Sequence, residues 1–476
     1  MGMALIIAID IAIVVGLVYL AATKGVEKAL PFFVFVTVFL PEDVQFQIPG
    51  LFTVTGRRVA IATLVLMYLL FGVQGGQGPL VKKTPLGMLI AVHVAWCGLS
   101  TANSVVPVDS LKKMLFMAVE YYVMYYVLVR TVRSLATVQK ILGAMVFAVF
   151  LACILGAFEA YTGWRVWYLF PAQSFSRFSW ITGPDNRFYS TFSSPHLFGA
   201  AVSFGIVEAF YLLSQATSRG RKIYLTIALL LMILNVYKGT TRGPWVALAL
   251  GFALLLFAGT AGTRKIIVSM AVLTALVLIV RPGIRDTVLA VYSETVNTDD
   301  PNNLKGKSYE YRYALWRVGT KALNQSFPRQ VWGYGLESFY SLHLRGPFFT
   351  NPEYPFESCD SSWVELMVET GYVGLLIIGI LLIKPAVLIF REMRKLPKAS
   401  RFLPGVLLIN MLQYYFMMTN VGIYAWGQTA YMLWIWIAIA MIYKPLSDRE
   451  STGAQPAPVP AKREWGLLEP AGVTSY

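Results

Sequence analysis

Charged residues are scarce in this sequence. Of its 476 residues, only 14% are charged and 57% are hydrophobic, and the mean hydropathy is +0.59. Soluble globular proteins carry about 25% charged residues. The chain therefore lacks the polar surface that a soluble multidomain enzyme of this length needs, and the same composition excludes a disordered or collagen-like protein. Lipid has to replace water around most of the surface, so we expect a polytopic membrane protein.

Cysteine and histidine are also rare, with three residues of each. Cys97 and Cys153 fall in apolar segments and Cys359 stands alone in a polar one, so we expect no disulfide framework. No spacing of His, Cys and carboxylate residues suggests a metal site, and no cofactor is expected. The first nineteen residues have no basic segment before the apolar run, which favours a retained helix over a cleaved signal peptide.

The apolar segments predict the fold class: an all-α integral membrane protein with about 12–13 transmembrane helices and one large extracytoplasmic loop containing short helices. About 20 apolar residues cross the bilayer core as a helix. Segments of this kind occupy residues 3–22, 29–41, 57–73, 85–100, 112–129, 138–160, 192–213, 222–236, 243–259, 264–281, 362–383, 402–420 and 424–443.

These segments divide the chain into four parts. We expect N-terminal transmembrane helices over 1–281, a large extracytoplasmic loop over 282–361, C-terminal transmembrane helices over 362–444 and a disordered tail over 445–476. Basic residues cluster in alternate connections, which places those connections and the C-terminus in the cytoplasm and the N-terminus outside. The net charge of +15 is thus a topology signal, and no nucleic-acid partner is expected.

Several arginines remain on the predicted outer face, where the topology rule disfavours cations. Arg242 lies in a short turn between two apolar segments, and Arg312 and Arg317 lie in a stretch, 309–323, with the pattern of an amphipathic helix. Guanidinium groups bind phosphate oxygens through paired hydrogen bonds, so arginines that converge at the membrane surface suit a lipid-linked pyrophosphate. The alternative is that each arginine reaches a lipid headgroup or pairs with a nearby acid.

A polar stretch runs directly into the apolar segment at 362. Asp360 precedes the first turn of that predicted helix, and Glu365 and Glu369 are spaced i, i+4 on one face. Asp360 can be an N-cap, or it can be a functional carboxylate at the membrane surface. The two glutamates are costly in lipid, so they should face protein or a wet cavity, where they can pair with outer-face arginines.

The order of these motifs resembles the O-antigen ligase and Wzy-type polysaccharide polymerase superfamily. The resemblance is best over 235–375, and it rests on short motifs in a fixed order. They are Thr241-Arg242-Gly243, Arg312-x-x-x-Trp316, Gly333-x-Gly335 with Phe339, and Glu369-Thr370-Gly371-x-x-Gly374. Residues 189–196 are weakly similar to the family's Gly-Thr-Phe-x-x-Pro-Asn entry to a helix.

The resemblance implies an inverting, metal-independent glycosyltransferase on the outer face of the bacterial cytoplasmic membrane. The donor would be an oligosaccharide on undecaprenyl pyrophosphate, and a chain-length regulator and a flippase are possible partners. Carried over residue by residue, Arg242 and Arg312 match the arginines that hold the pyrophosphate, and Arg317 is a weaker candidate. All three residues and Asp360 are therefore candidate site residues.

One departure from the family affects the choice of acceptor. Ligases carry a His nine residues before the Glu of Glu-Thr-Gly, and this chain has Asp360 there. A carboxylate can also accept a proton from an attacking hydroxyl, so Asp360 is the proposed base. The missing His favours a polymerase, which extends another lipid-linked glycan, over a ligase that transfers to lipid A core. His343 is an alternative base, and His196 suits a structural hydrogen bond.

Two other classes of function remain open. A transporter or flippase of lipid-linked glycans would explain the helices and the outer arginines. Transporter sites, however, lie near the bilayer midplane, and mid-helix ionisable residues are limited here to Asp10, Glu120 and Glu208. A non-catalytic scaffold would leave the arginine motifs unexplained.

Overall fold

The computed structural model describes residues 2–48, 53–72, 80–81, 83–170, 187–239, 241–296, 307–348, 351–424 and 427–451. Residues 297–306 of the predicted large loop lie outside the described residues, as do residues 171–186 and Thr240 beside the predicted Arg242 turn. The described chain is helical almost throughout, so the fold is an all-α integral membrane protein, as predicted.

All thirteen predicted spans coincide with helices. The first seven correspond to α1 (Gly2–Lys24), α2 (Val26–Phe39), α3 (Gly56–Met67), α4 (Gly87–Ala102), the consecutive α5 (Pro107–Met117) and α6 (Met124–Thr131), α7 (Leu135–Thr162) and α8 (Pro195–Gln215). Wider π-helical turns extend α3 over Tyr68–Gly72 and join α5 to α6 over Ala118–Val123.

The remaining spans correspond to α9 (Arg219–Lys238), α10 (Arg242–Ala258), α11 (Ala261–Val280), α15 (Ser362–Lys395), α16 (Phe402–Met417) and α17 (Gly427–Ser451). Among the described residues, six helices are long and apolar enough to cross a membrane by themselves, namely α1, α7, α8, α9, α15 and α17. α17 continues to Ser451, beyond the predicted start of the tail at 445, and the rest of that tail lies outside the described residues.

The large loop contains short helices, as predicted, and also a pair of β-strands. It holds α12 (Pro282–Val296), α13 (Lys307–Leu323) and α14 (Phe327–Trp332), and an antiparallel hairpin pairs β3 (Arg345–Phe348) with β4 (Asn351–Pro355). A second small hairpin, β1 (Gln45–Gln47) with β2 (Thr53–Thr55), precedes α3. Short 3₁₀ turns occupy Val166–Leu169, Phe339–Leu342 and Lys398–Ser400.

The centre of the bundle is formed by α8 and α17, which are the most deeply buried of the six long apolar helices. α8 packs against α7, α9, α10, α16 and α17. In the loop, Leu315, Phe339 and Phe356 form a small apolar core with Val364 and Val368 from the first turns of α15. The loop is therefore packed onto the start of α15, and this packing fixes the residues that follow.

Candidate active site at the helix N-termini

The guanidinium of Arg312 lies at the boundary between the loop and the membrane helices. Its Nε and Nη2 donate to the carbonyl of Asn420 at 3.1 and 2.8 Å, and its Nη1 donates to the Oγ of Ser308 at 2.6 Å. Burial lowers the pKa of this guanidinium, while the carboxylate of Asp360 acts in the opposite direction. The arginine is thus held in place by neutral oxygens, in a position where an additional anion would stabilise its charge.

Asp360 is not the N-cap of α15, because Ser361 occupies that position. The Oδ1 of Asp360 accepts a hydrogen bond from the Oγ of Ser358 at 2.7 Å, and its Oδ2 lies 3.9 Å from Nη2 of Arg312. The Asp360 side chain is 39% exposed. The carboxylate is therefore oriented and accessible, and a general base has to lie within reach of the proton that it accepts.

His196 lies in the first turn of α8, within electrostatic range of four charged side chains. The charges of Asp360, Arg187, Arg242 and Arg312 all act on its imidazole. The structure therefore brings together three of the sequence-predicted site residues and adds Arg187. The side chains of Arg187, Arg242 and Arg312, together with Asp360 and His196, are called the arginine cluster below.

Close packing between helices explains why residues from distant parts of the chain meet here. A Cβ on Gly199 would lie 2.6 Å from Cγ of Pro244, so α8 and the start of α10 are in direct contact. The Oγ of Ser203 donates to the carbonyl of Pro244 at 3.1 Å. A Cβ on Gly243 would lie 4.0 Å from the Cβ of Asn420, so the start of α10 is also in contact with Asn420. Arg242 is thus placed beside both His196 and the carbonyl that holds Arg312.

Three membrane helices begin at the arginine cluster: α8 at Pro195, α10 at Arg242 and α15 at Ser362. The N-terminus of a helix carries a partial positive charge and unpaired N–H groups, so it favours anions. These helix dipoles add to the charges of three arginines. Together they make this end of the bundle suited to a strongly anionic group such as a pyrophosphate.

Arg187 was missed by sequence reasoning, and a buried ion pair anchors the backbone three positions after it. Oε2 of Glu159 accepts the backbone N–H of Ser190 at 2.8 Å, and Oε1 lies 3.3 Å from Nε of Arg165. Ser190 has a positive φ of 55°, so the chain turns sharply just after Arg187. The similarity of residues 189–196 to a family motif marked this segment, but no local pattern distinguishes Arg187 from other outer arginines.

The glycine motifs of the loop and α15 dock the two against each other. The N–H groups of Tyr334 and Gly335 donate to the carbonyls of Val368 and Glu369 at 3.0 and 2.9 Å. Gly371 interrupts the helical geometry of α15 with a φ of 72°, and a Cβ there would lie 2.3 Å from the carbonyl oxygen of Val331. These glycines allow backbone to meet backbone, which fixes the loop relative to Asp360.

The structure places the other two candidates outside the arginine cluster. Arg317 is exposed and lies over the ring of Tyr313, 5.1 Å from its centroid. Arg317 lies five positions after Arg312 on the same helix, so the two side chains leave the helix in different directions. His343 is exposed at the end of a 3₁₀ turn, and the described residues give it no contact with Asp360 or the clustered arginines.

Glu365 and Glu369 lie one and two turns into α15, and both are buried. The charges of Lys113 and Glu337 act on both of them, and Nζ of Lys113 is 2.9 Å from Oε2 of Glu337. A lysine of α5 is thus their cationic neighbour, where the sequence had suggested outer-face arginines. Within the described ranges, no group of three or more His, Cys, Asp or Glu side chains has the geometry to hold a metal ion.

Part of the chain matches a known protein family. Residues 227–379 match the family model described as O-antigen ligase. The matched range contains Arg242, Arg312 and Asp360, whereas Arg187, His196 and Asn420 lie outside it. No curated protein matches the chain. The match confirms the predicted resemblance to the O-antigen ligase and Wzy superfamily over these residues.

Proposed function

We propose that the protein is a polysaccharide polymerase. It transfers a glycan from undecaprenyl pyrophosphate to a hydroxyl of another lipid-linked glycan, with inversion at the anomeric carbon. The observation that carries the proposal is the arginine cluster, in which Arg187, Arg242 and Arg312 meet Asp360 around His196. The family match supports a ligase or polymerase type of activity.

In the proposed step, the acceptor oxygen attacks the anomeric carbon of the donor sugar. The bond between that carbon and the pyrophosphate oxygen breaks, and its electron pair leaves with the pyrophosphate. The hydroxyl proton passes to the carboxylate of Asp360. Negative charge on the leaving group is stabilised by the arginines and by the N-termini of α8, α10 and α15, which are in place before the reaction begins.

The placement of the substrates follows from the same arrangement. The pyrophosphate lies against Arg187, Arg242 and Arg312, at the membrane boundary, with its lipid chain in the bilayer. The acceptor approaches from the side of the loop, where the side chain of Asp360 is exposed. We place this site on the extracytoplasmic face of the cytoplasmic membrane and the C-terminus in the cytoplasm, as the distribution of basic residues indicates.

A ligase that transfers the glycan to lipid A core is the second candidate, because the matched family model is described as O-antigen ligase. The two activities share a donor and differ in acceptor. Purified protein should be incubated with lipid-linked repeat units alone and with the same repeat units plus lipid A core. Ladders of polymer from the first mixture support the polymerase. Product only from the second mixture assigns a ligase, and no transfer in either contradicts both.

A further inference from the structure

An apolar groove of about 580 Å³ lies between three helices that border the arginine cluster. It is formed by the second half of α10, the second half of α15 and the stretch of α16 from Gly405 to Tyr415. Its walls include Leu254, Phe257, Ile383, Val387, Phe390 and Leu412. The volume is within the range of sites that bind small organic molecules.

The groove and the arginine cluster are framed by the same three helices. α10 starts at Arg242, α15 starts just after Asp360, and α16 ends just before Asn420, whose carbonyl holds Arg312. On the lipid-facing side of α15, the side chains of Leu376 and Ile380 are 63% and 46% exposed, and they lie between the cluster and the groove. An apolar chain that leaves the cluster along these helices therefore reaches the groove.

Depth restricts which lipid can do this. Leu254 and Ala258 are twelve and sixteen residues from Arg242 along α10, which corresponds to about 18 and 24 Å at 1.5 Å per residue. One leaflet of the hydrocarbon core is about 15 Å thick. Along α10 the groove therefore lies beyond the midplane from the cluster, whereas along α16 it extends to Tyr415, five positions before Asn420. A chain anchored at the cluster can enter the groove near Tyr415, and only a chain longer than one leaflet reaches its far end. A polyprenyl chain is long enough.

The far end of the groove is closed by protein. A Cβ on Gly405 would lie only 2.6 Å from Cβ of Ala258, so α16 and α10 touch there. Arg401 lines the same end, where its Nε and Nη2 donate to the carbonyls of Leu396 and Arg394 at 2.7 and 3.3 Å. These bonds hold the guanidinium of Arg401 at the closed end of the groove.

We infer that the groove binds the distal part of the donor's polyprenyl chain and thereby selects donors with a long lipid. This inference rests on the proposed function, since it takes the arginine cluster as the pyrophosphate site. It adds a second point of recognition, which sets affinity for the lipid and takes no part in the chemistry.

The test compares donors that carry the same glycan on undecaprenyl or farnesyl pyrophosphate. Val387→Trp fills the groove from its 38% exposed position, and Leu230→Trp on the exposed face of α9 is the matched control. For the wild type and the control, we expect a KM about tenfold lower with the long donor. In Val387→Trp, the long donor should lose this advantage while the short donor keeps its kcat/KM. An unchanged preference, or an equal loss for both donors, overturns the inference.

A binding measurement separates this inference from the proposed reaction. Undecaprenyl pyrophosphate with a photoreactive group at the end of its chain should label the groove residues in the wild type and not in Val387→Trp. Such labelling supports binding of the chain in the groove even if no glycan is transferred. Labelling without transfer would contradict only the proposed polymerase activity. Labelling of residues outside the groove overturns the inference. So does labelling that is abolished by excess phospholipid and not by excess undecaprenyl pyrophosphate, because the groove is then occupied by bulk lipid.

Discussion

The side chains of Arg312 and Asp360 face each other without a direct hydrogen bond, although Nε of Arg312 donates to the backbone carbonyl of Asp360 at 3.3 Å. Nη2 of Arg312 and Oδ2 of Asp360 are 3.9 Å apart, while each side chain is held at shorter distance by another group, Asn420 for the arginine and Ser358 for the carboxylate. A close ion pair would have to be broken before either group could act on a substrate. Here both groups are positioned by neutral partners and remain available to ligands.

The first prediction concerns Asp360. Asp360→Asn keeps the size of the side chain and removes its ability to accept a proton, so the rate of transfer should fall at least about 100-fold. Asp360→His restores the residue type that ligases carry here, and it should retain more activity than the Asn variant. Polymer formation from purified lipid-linked repeat units measures both. Activity of Asp360→Asn within threefold of the wild type would remove the base role.

The second prediction compares the two arginines of α13. Lys cannot reproduce the simultaneous bonds of Arg312 to Asn420 and Ser308, so Arg312→Lys should lower kcat/KM for the donor at least about tenfold. Arg317→Lys, on an exposed part of the same helix, is the control and should stay within twofold. Equal effects of the two substitutions would contradict the placement of the pyrophosphate at Arg312.

The third prediction concerns Arg187, which only the folded structure brings into the cluster. Removal of one of three arginines that hold an anion should raise the KM for the donor about tenfold, with a smaller change in kcat. Arg219→Ala, in the first turn of α9 at the opposite end of the bundle, provides the control. If Arg187→Ala leaves the KM unchanged in a normally folded protein, Arg187 takes no part in donor binding.

The fourth prediction concerns the interruption of α15. A Cβ at Gly371 would meet the carbonyl of Val331 at 2.3 Å and would also force a side chain into left-handed backbone, so Gly371→Ala should lower the free energy of unfolding by about 1–3 kcal/mol. Gly379 lies in the same helix with no atom within 4 Å of its notional Cβ, and Gly379→Ala should be neutral. Thermal unfolding in detergent compares the two variants, and equal melting temperatures would contradict the docking role.

The fifth prediction distinguishes transfer from transport. Oε1 of Glu208, in the middle of α8, accepts hydrogen bonds from Nε1 of Trp436 at 2.7 Å and Nδ2 of Asn410 at 3.1 Å. Glu208→Gln preserves an acceptor there, so glycan transfer should remain within about threefold of the wild type. A flippase that uses this carboxylate for ion coupling would lose lipid transport in vesicles. Loss of transport with no transfer detectable in the wild type would favour the transporter.

The helices were predictable because hydropathy alone identifies segments that lipid can surround. Arg242 and Arg312 were found from local motifs, and Asp360 was found from its position before a helix. Arg187 and Lys113 were not found, because their roles depend on packing between segments distant in sequence. The paired strands Arg345–Phe348 and Asn351–Pro355 were also missed, since a loop outside the membrane lacks the long apolar runs that mark the spans.

The glycine motifs illustrate a further limit of sequence reasoning. Gly333, Gly335 and Gly371 supported the resemblance, but their spacing gave no physical reason for their presence. That reason is the direct contact between the loop backbone and the carbonyls of α15, which involves residues more than thirty positions apart. Asp360 was likewise open to two interpretations until Ser361 was seen to occupy the N-cap position.

The hydrogen bonds from Arg312 to the carbonyl of Asn420 have a consequence for protein engineering. Residues 227–379 cannot be exchanged between relatives as a self-contained module, because the guanidinium of Arg312 is held by a turn that lies some forty positions beyond that range. A chimera that carries only those residues inherits Arg312 without the partner that orients it. An exchange that also includes 187–199 and 418–424 transfers the arginine cluster together with its supports.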